Sequence, residues 1–409
     1  MTMRQASQLT PIAAAIEQLL PRLPRIHETE LIAIGDAQGR ILAEDFLAAT
    51  AVPPWDNSAM DGFAVRAADV QSVPVTLPIS QRIAAGEVGS ALDSGTAARI
   101  FTGAPLPEGA DAVVMQENTE AADGQVTVVQ SVVAGENLRQ QGEDIPRGAT
   151  LYQAGHRLLP QDIGVLASVG ATEVKVIRRL SVALLTTGDE LVTPGTSLEP
   201  GQIYNSNHFS LAALLNNLCA DVMEVGIVND DFETTREELE KASAVADCII
   251  STGGVSVGEE DHVKAAVETL GSLDLWKLAI KPGKPFASGK IGSTQFFGLP
   301  GNPVSAFVTF VLLVRPFLLT MSGCQNALPR WLPVACAEEL ASSGERQEYI
   351  RVSLVSGPDG KTMLKSLKQQ SSGAGSSLSL ADGLAIIPAH TSVARGDTLE
   401  FLPFSELIY

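Results

Sequence analysis

The chain has 409 residues, and its 47 acidic and 28 basic side chains give a formal net charge of −19 at pH 7. A charge of this sign repels polyphosphate backbones and anionic lipid, which argues against a nucleic-acid or membrane-surface binder. Hydrophobic residues at 45% and charged residues at 18% indicate an ordered soluble protein of two to four domains.

Targeting and redox signals are weak. The longest apolar run, 306–314, ends at Arg315 and is shorter than the roughly 20 residues of a membrane-spanning helix, so it predicts a buried helix. The N-terminal segment lacks the uninterrupted apolar core of a signal peptide, and we expect a cytoplasmic protein. No CxxC pair occurs, which favours reduced core thiols for the four cysteines, Cys219, Cys248, Cys324 and Cys336.

The sequence pattern of residues 1–177 predicts two domains, one of which is inserted into the other. Thr10 and Pro11 precede an apolar helical pattern, and 39–48 has a second one. After Pro53 and Pro54 come short alternating segments with glycine-rich turns, which are typical of β-structure. Residues 140–177 return towards the first helices with turns and one short helix. We therefore expect an elongated N-terminal linker domain from 1–52 and 140–177, and a β-rich domain over 53–139.

The rest of the chain predicts two further domains. Strand and helix patterns alternate from about residue 180, which indicates a sheet of parallel strands with helices on both sides, a doubly wound α/β domain over 178–326. After residue 327 the pattern returns to short strands, which predicts a small C-terminal β-barrel or sheet over 327–409. The expected fold class is multidomain, α/β plus β.

Polar segments follow the strands of the α/β unit. Ligands of open α/β sheets bind beyond the carboxyl ends of the strands, so these segments mark the expected site. They contain both lysines and carboxylates, which suggests a phosphorylated substrate with a divalent cation. The alternative is that the acidic residues are only helix caps. The segments are TTGDE (186–190), NDD (229–231), TGGVSVGEED (252–261), KPGKP (281–285) and GLPGNP (298–303).

One of these segments belongs to a lysine-rich stretch, WKLAIKPGKPFASGK (276–290). No Asp or Glu occurs over 275–337, although the whole protein is acidic. Pro282 and Pro285 restrict the loop around Lys281 and Lys284, which favours a prepared anion site over a solvated basic face. Lys290 is assigned to the surface.

Three other segments leave alternatives open. Residues 254–258, GVSVG, match the G-x-S-x-G nucleophile motif, but only His262 and His390 follow, so Ser256 is expected to bind phosphate instead. The segments 53–65 and 137–148 are either turns or parts of a site. Their acidic and basic residues are Asp56, Asp61, Arg139, Glu143 and Asp144.

Taken together, these motifs resemble the molybdopterin molybdenumtransferase (MoeA) family, which includes the gephyrin E domain. The resemblance runs from about residue 10 to the C-terminus and is weaker after 330. It identifies the α/β unit as a molybdopterin-binding, MogA-like domain. The matching blocks are DNSAMDGFAV (56–65), 99–117, GEDI (142–145), TTGDEL (186–191), IYNSN (203–207), 253–264, 276–290, GLPGNPVSAF (298–307) and 370–384.

The resemblance implies the last step of molybdenum cofactor synthesis. Molybdate enters the dithiolene of adenylylated molybdopterin, and Mg²⁺ assists the cleavage that releases AMP. It further implies a homodimer whose active site lies between the α/β domain of one subunit and the β-rich domain of the other. Transient contacts with a molybdopterin adenylyltransferase and with molybdoenzyme chaperones are also implied.

The family's functional positions carry over residue by residue. Lys277 and Lys281 are expected to hold molybdate and the terminal phosphate, and Lys284 to support them. Two departures from the family pattern, Phe63 for Tyr and Glu259 for Asp, are conservative. The implied catalytic residues are Asp61, Thr102, Glu190, Asp230, Asp261, Lys277 and Lys281, with Glu190, Asp230 and Asp261 either as metal ligands or as groups that orient the nucleophilic oxygen. The implied cofactor-binding residues are Arg139, Glu143, Asp144, Gly253, Gly254, Ser256, Lys284, Pro300 and Pro303.

Two other functions compete with this one. The same architecture serves in the family as a non-catalytic molybdopterin-binding scaffold, but no motif position here has become apolar, which favours the enzyme. The upstream adenylyltransferase activity occurs on an α/β unit alone, and the additional domains and the GEDI segment argue against it.

Overall fold

The computed structural model describes residues 9–254 and 262–407. The N-terminal part begins with α1 (Ile12–Leu19), β1 (Thr29–Ala33) and β2 (Phe46–Leu47). Thr10 does not cap α1. Its N–H donates to the carbonyl of Lys277 (2.7 Å), so the chain start is joined to the lysine-rich stretch.

The helix predicted over 39–48 is wrong. Gly39 has φ +78°, and the N–H groups of Gly39 and Leu42 donate to the carbonyls of Leu158 and His156, at 2.7 and 3.0 Å. Long-range backbone bonding has overridden the local apolar pattern.

The β-rich part has one six-stranded sheet in the order β7-β4-β6-β5-β9-β8, and β10 pairs with β3 beside it. Buried valines, alanines and isoleucines on both faces form its core. The strands are β3 (Asn57–Ser58), β4 (Gly62–Val65), β5 (Val75–Ile83), β6 (Ala97–Ile100), β7 (Ala112–Met115), β8 (Thr119–Ala122), β9 (Gln125–Val128) and β10 (Leu138–Arg139).

The chain then returns to its first elements through β11 (Thr150–Tyr152), α2 (Pro160–Ser168) and β12 (Glu173–Ile177). β11 pairs antiparallel with β2, and β12 pairs antiparallel with β1. The return connection predicted from the sequence therefore consists of strand pairs rather than of packed helices. Short 3₁₀ turns cover Leu20–Arg22, Ile34–Asp36, Ala67–Val70, Gln116–Asn118 and Phe404–Leu407.

The α/β part contains a six-stranded sheet in the order β16-β13-β17-β21-β20-β18. One core cluster takes residues from α3, α6 and α7, and a second takes residues from α4 and α5, so helices cover both faces. The strands are β13 (Ser181–Thr187), β14 (Leu191–Val192), β15 (Ile203–Tyr204), β16 (Asp221–Val228), β17 (Cys248–Thr252), β18 (Gly271–Lys277), β19 (Ile280–Lys281), β20 (Pro285–Ile291) and β21 (Thr294–Leu299). The helices are α3 (Ser206–Asn217), α4 (Phe232–Ser243), α5 (His262–Leu270), α6 (Pro303–Thr309) and α7 (Arg315–Met321).

The sheet is mixed, whereas alternation alone predicted parallel strands. β13, β16, β17 and β21 are parallel, but β20 runs antiparallel to both of its neighbours. The cause is a two-residue hairpin between Ile291 and Thr294, which Gly292 permits with φ +59°. β18 consequently points the same way as the parallel strands, and its carboxyl end lies at their edge.

The buried helix predicted at 306–314 is present and longer than expected. A π-helical segment, Phe310–Val314, joins α6 to α7, and this wider turn allows Pro316 within a continuous helix. Among the described residues Pro303–Met321 is the one helix long and apolar enough to span a membrane, and 89% of its most apolar window is buried inside the protein. It is a core helix.

The C-terminal part is a closed five-stranded barrel, which confirms the fold class predicted from the sequence. The cycle runs β23-β24-β22-β26-β25 and back to β23. In addition, β19 of the α/β part pairs in parallel with β23. The elements are β22 (Leu332–Cys336), β23 (Gln347–Ser356), β24 (Thr362–Ser366), α8 (Ser376–Ser379), β25 (Gly383–Ile387) and β26 (Thr398–Pro403).

Candidate active site

The polar segments predicted to form the site lie in a row along one edge of the α/β sheet. Strand order sets their order: Asp230 follows β16, Glu190 follows β13, Gly253 follows β17, Pro300 follows β21, and Lys277 ends β18. Five interstrand spacings of about 4.8 Å separate the outer strands, so the row is about 24 Å long. The structure brings the segments to one edge but separates the carboxylates from the lysines. The site therefore suits an extended ligand.

A glycine turn lies in the middle of the row. Gly253 and Gly254 have φ of +90° and +63°. A Cβ at Gly253 would lie 2.6 Å from the carbonyl oxygen of Thr187, and one at Gly254 would lie 2.4 Å from Cγ2 of Val263. Only glycine fits both positions. Ser256 and Asp261, in the same predicted segment, lie outside the described residues.

Two buried asparagines at the start of α3 tie the strand ends together. Asn205 Nδ2 donates to Thr186 Oγ1 (2.8 Å), and Asn207 Nδ2 donates to Thr252 Oγ1 (3.0 Å) and to the carbonyl of Gly301 (2.7 Å). Oδ1 of Asn207 is buried and accepts no hydrogen bond from the part of the chain that the structure describes. An unsatisfied buried acceptor at this edge is suited to a ligand N–H or O–H. Neither asparagine was singled out from the sequence, although both lie in the IYNSN block.

The four carboxylates at the other end of the row divide into two kinds. Asp189 Oδ1 accepts the N–H of Asp230 (3.1 Å), and Asp231 caps α4 by accepting from the N–H (2.8 Å) and Oγ1 (2.6 Å) of Thr234. The hydrogen bonds from Thr234 lower the pKa of Asp231. In contrast, the exposed side chains of Glu190 and Asp230 accept no hydrogen bond from the described residues. These two remain available for a ligand.

A complete metal centre is not formed by the described side chains. Over 9–254 and 262–407, no three His, Cys, Asp or Glu side chains are grouped so that they could hold an ion. Two of the three predicted ligands, Glu190 and Asp230, follow neighbouring strands and offer the oxygen donors that Mg²⁺ prefers. The third, Asp261, lies outside the described residues.

The lysine-rich stretch lies at the opposite end of the row. Lys277 is opposite Pro285 in the β18–β20 pair, and the N–H of Leu278 donates to the carbonyl of Lys284 (2.7 Å), which closes the loop between the strands. Gly283 has φ +104°, and a Cβ there would lie 2.5 Å from Thr309 Oγ1 on α6. Lys290 is opposite Ser272, at the far edge of the sheet.

Lys281 connects this stretch to the barrel. Its backbone belongs to β19, which pairs with Gln347 and Glu348 of β23, and its Nζ lies 2.9 Å from Oε1 of Glu348. The Glu348 side chain is 17% exposed and that of Lys281 is 52% exposed, so the ion pair forms at the rim of the barrel. The role of Glu348 was missed because it lies 67 residues further along the chain.

A barrel loop over 369–377 covers the start of α6. The carbonyl of Ser372 accepts the N–H of Val304 (3.0 Å). The loop is held by Arg351, 1% exposed, whose Nε donates to Ser377 Oγ (3.1 Å) and whose Nη2 donates to the carbonyls of Gln369 and Ser371. Burial lowers the pKa of Arg351. This arginine could not be identified from the sequence, because its strand has an otherwise ordinary β pattern.

The β-rich part carries a second polar group. Oδ1 of Asp61 accepts hydrogen bonds from both the N–H and the Oγ1 of Thr102, each at 2.8 Å. These bonds lower the pKa of Asp61, and the charge of Arg99 adds to the effect. The Arg99 guanidinium lies over the rings of Phe101 (4.6 Å) and Phe63 (5.1 Å). The phenylalanine that departs from the family pattern therefore supports Arg99.

Nearby turns account for some of the other candidates. Asp56 Oδ1 accepts the N–H of Gln141 (2.7 Å), and Glu143 Oε2 accepts the N–H of Gln140 (3.0 Å), so both carboxylates stabilise turns. Arg139 and Asp144 are exposed, and Arg139 lies opposite Asn57. Oδ1 of Asn57 is a second buried oxygen that accepts no hydrogen bond in the described structure.

The two polar groups are separate within one chain. In the described residues, Asp61 and Thr102 hydrogen-bond only within the β-rich part, and no hydrogen bond or ion pair joins that part to the carboxyl edge of the α/β sheet. A single chain therefore presents two polar surfaces.

The chain matches three family models in sequence order. Residues 10–170 match the "MoeA N-terminal region (domain I and II)", 183–320 a "Probable molybdopterin binding domain", and 333–404 the "MoeA C-terminal region (domain IV)". Together they cover nearly all of the described chain.

Similar proteins agree with these matches. A molybdopterin molybdenumtransferase of Haemophilus influenzae is 38% identical over 96% of this chain and 98% of its own length, and one of a Nostoc species is 40% identical over 84% and 81%. A crystal structure of a molybdopterin biosynthesis MoeA protein from Pyrococcus horikoshii is 33% identical and superimposes with a TM-score of 0.76, covering 97% of this chain and 99% of that one. The chain belongs to the molybdopterin molybdenumtransferase (MoeA) family.

Proposed function

We propose that this protein inserts molybdate into adenylylated molybdopterin with Mg²⁺-dependent release of AMP, the last step of molybdenum cofactor synthesis. The observation that carries the proposal is the row of polar groups, about 24 Å long by strand spacing, with carboxylates at one end and lysines at the other. A substrate with a pterin, a phosphoanhydride and a nucleotide is long enough to use such a row and carries the charges that match it.

The centre of the row is suited to the polar body of the substrate. The Gly253–Gly254 turn leaves backbone close to any ligand, and Asn207 offers a buried acceptor that has no partner among residues 9–254 and 262–407. Since an unsatisfied buried acceptor costs about 1–3 kcal/mol, a ligand donor placed there gains that amount back. This favours substrate N–H groups at this position.

The two ends of the row would hold charge of opposite sign. Lys281 and Lys277 would hold molybdate and phosphate oxygens. When substrate binds, Lys281 would leave its ion pair with Glu348 and pair with the substrate oxyanion instead. Glu190 and Asp230 would hold Mg²⁺, which supplies charge neutralisation at the phosphoanhydride. Asp61, whose charged form is stabilised by Thr102, would accept a hydrogen bond from the substrate.

The site would be completed by a second subunit. Asp61 and Thr102 are not joined to the lysine end within one chain, so a homodimer in which the β-rich part of one subunit faces the α/β edge of the other would bring them together. Each dimer then contains two such sites.

The test is direct turnover. Purified protein is incubated with adenylylated molybdopterin, molybdate and Mg²⁺, and AMP is quantified by chromatography while cofactor is assayed by activating an apo-molybdoenzyme. We expect AMP and active cofactor in equal amounts, and neither when molybdate is omitted or Mg²⁺ is chelated. Tight binding of the substrate with no AMP release would instead identify a scaffold.

A further inference from the structure

Two arginines of the β-rich part lie beside the Asp61–Thr102 group. Arg82 of β5 is opposite Arg99 of β6, and both guanidinium carbons lie 4.6 Å from the centre of the Phe101 ring. The two carbons therefore cannot be farther apart than twice that distance. Phe101 directly precedes Thr102, whose N–H and hydroxyl bind Asp61. We call Arg82 and Arg99 the arginine pair.

The charge of the arginine pair stands out in this part of the protein. Residues 53–139 contain eleven acidic side chains but only four basic ones, all arginines. Two neighbouring like charges repel each other, and a nearby carboxylate would offset that repulsion. Among residues 9–254 and 262–407, however, neither Arg82 nor Arg99 forms an ion pair. The carboxylate of Asp61 feels the charge of Arg99 but is bound to Thr102.

Most N–H donors of the arginine pair are not used by the protein. Arg99 donates through Nη1 to the carbonyl of Gly62 (2.9 Å) and through Nη2 to Oε1 of Gln116 (2.8 Å). Arg82 is exposed, lies over the Phe101 ring and donates to no acceptor in the described part of the chain. Stacking on a ring orients a guanidinium without using its N–H groups. The arginine pair thus offers oriented donors to an anion.

We propose that the arginine pair binds the phosphate of the AMP half of the substrate, an inference that rests on the function proposed above. Adenylylated molybdopterin has two phosphates, and the lysine end of the row is assigned to molybdate and the terminal phosphate. The phosphate of the AMP half then needs another cationic partner. Guanidinium groups suit it, because their N–H groups match phosphate oxygens. In the shared site, the subunit that supplies Asp61 would also supply the arginine pair.

Calorimetry with AMP and adenosine tests the phosphate contact in the full-length protein. We expect wild-type protein to bind AMP at least tenfold more tightly than adenosine, which lacks the phosphate. Arg82→Gln should weaken AMP binding about tenfold, as loss of a charge-assisted hydrogen bond predicts, and should leave adenosine binding unchanged. Arg82→Lys keeps the charge without the planar fork and should be intermediate. The control Arg395→Gln, at an exposed arginine of the barrel, should bind AMP as wild type does.

The lysine end is separated from the arginine pair by Lys281→Ala. A preference for AMP over adenosine that persists in Lys281→Ala and is lost in Arg82→Gln supports the proposal. The reverse pattern overturns it, as does the absence of AMP binding by wild type. Circular dichroism checks that Arg82→Gln is folded, which we expect because the side chain is exposed.

Turnover distinguishes this inference from the proposed function. In Arg82→Gln we expect the KM for adenylylated molybdopterin to rise about tenfold. If wild type turns over and Arg82→Gln has the same KM, kcat and AMP affinity, the function stands and this inference is overturned. If wild type releases no AMP from the substrate but binds free AMP through Arg82, the proposed function fails and the nucleotide phosphate site stands.

Discussion

At the scale of single residues, one threonine stabilises the charged form of Asp61. Both donors of Thr102, its N–H and its Oγ1, bind the same carboxylate oxygen, and this lowers the pKa of Asp61. A carboxyl with a lowered pKa in the folded state stabilises the protein above its unfolded pKa of about 3.9 and loses that contribution as pH falls through the folded value. The hydrogen bonds from Thr102 therefore extend the pH range over which Asp61 is charged towards lower pH.

Thr102→Val removes the hydroxyl and keeps the N–H, so we expect the pKa of Asp61 to rise towards its ordinary value. Carboxyl-carbon NMR titration measures this directly. Thr76→Val, which breaks the exposed Thr76–Thr127 hydroxyl contact (2.9 Å) in the same part of the protein, is the matched control and should leave the pKa of Asp61 unchanged. An Asp61 titration identical in Thr102→Val and wild type would refute the assignment.

Lys281→Ala should abolish cofactor formation. Removing one preorganised positive group that stabilises an oxyanion in the transition state lowers the rate about 10²–10³-fold. The fold should remain, because the half-exposed pair with Glu348 contributes little to stability. AMP release is the measurement, circular dichroism checks folding, and Lys290→Ala, at the opposite sheet edge, should behave as wild type. Full turnover by Lys281→Ala would contradict the proposed role.

At the scale of elements, the glycine turn after β17 shows what a sequence can and cannot reveal. The alternating pattern predicted that this turn lies at the carboxyl edge of the sheet. It could not predict strand order, so it did not reveal that this turn lies between the carboxylates and the lysines. The antiparallel β20 was also missed: Gly292 and Ser293 form a typical two-residue hairpin loop, but the alternation of strands and helices in the preceding segments favoured parallel strands throughout.

Gly254→Ala tests the close packing of this turn. A positive φ costs alanine roughly 1–2 kcal/mol, and here the new Cβ would also collide with Val263 at 2.4 Å. Gly86→Ala is the matched control, since Gly86 has φ +88° and nothing within 4 Å of the added carbon. Denaturant unfolding should show a greater loss of stability for Gly254→Ala, together with lost substrate affinity. Equal losses in both variants would mean that the contact is unimportant.

At the scale of the whole molecule, the candidate site is divided between two surfaces. The sequence alone predicted the fold class, a multidomain protein of α/β and β structure, whereas the shared site was implied only by the family resemblance. The helix expected over 39–48 failed because backbone partners more than a hundred residues away decide its conformation. Glu348, Asn207 and Arg351 were missed for the same physical reason, since their roles depend on packing between distant segments.

Mixing variants tests the division between subunits. Asp61→Ala and Lys277→Ala should each be inactive alone, but random subunit exchange gives half mixed dimers, each with one intact site, and so about a quarter of wild-type activity. The control mixture, Lys277→Ala with Lys281→Ala, carries both defects on the same surface and should stay inactive. If the first mixture also stays inactive after exchange has been verified by mass spectrometry, each site belongs to one subunit.

The bonding of the lysine-rich stretch has a consequence for biosynthesis. On one side, the backbones of Lys277 and Ala279 form hydrogen bonds with Thr10, near the start of the chain. On the other side, the carbonyl of Ala279 accepts the N–H of Gln347, and β19 pairs with β23. During synthesis Thr10 leaves the ribosome before the lysine-rich stretch, whereas β23 is made more than sixty residues after β19. Since domains fold as they emerge from the ribosome, the α/β sheet can form before β23 is available to pair with β19 beside the lysines. The nascent protein would thus acquire its lysine geometry last, when the barrel closes.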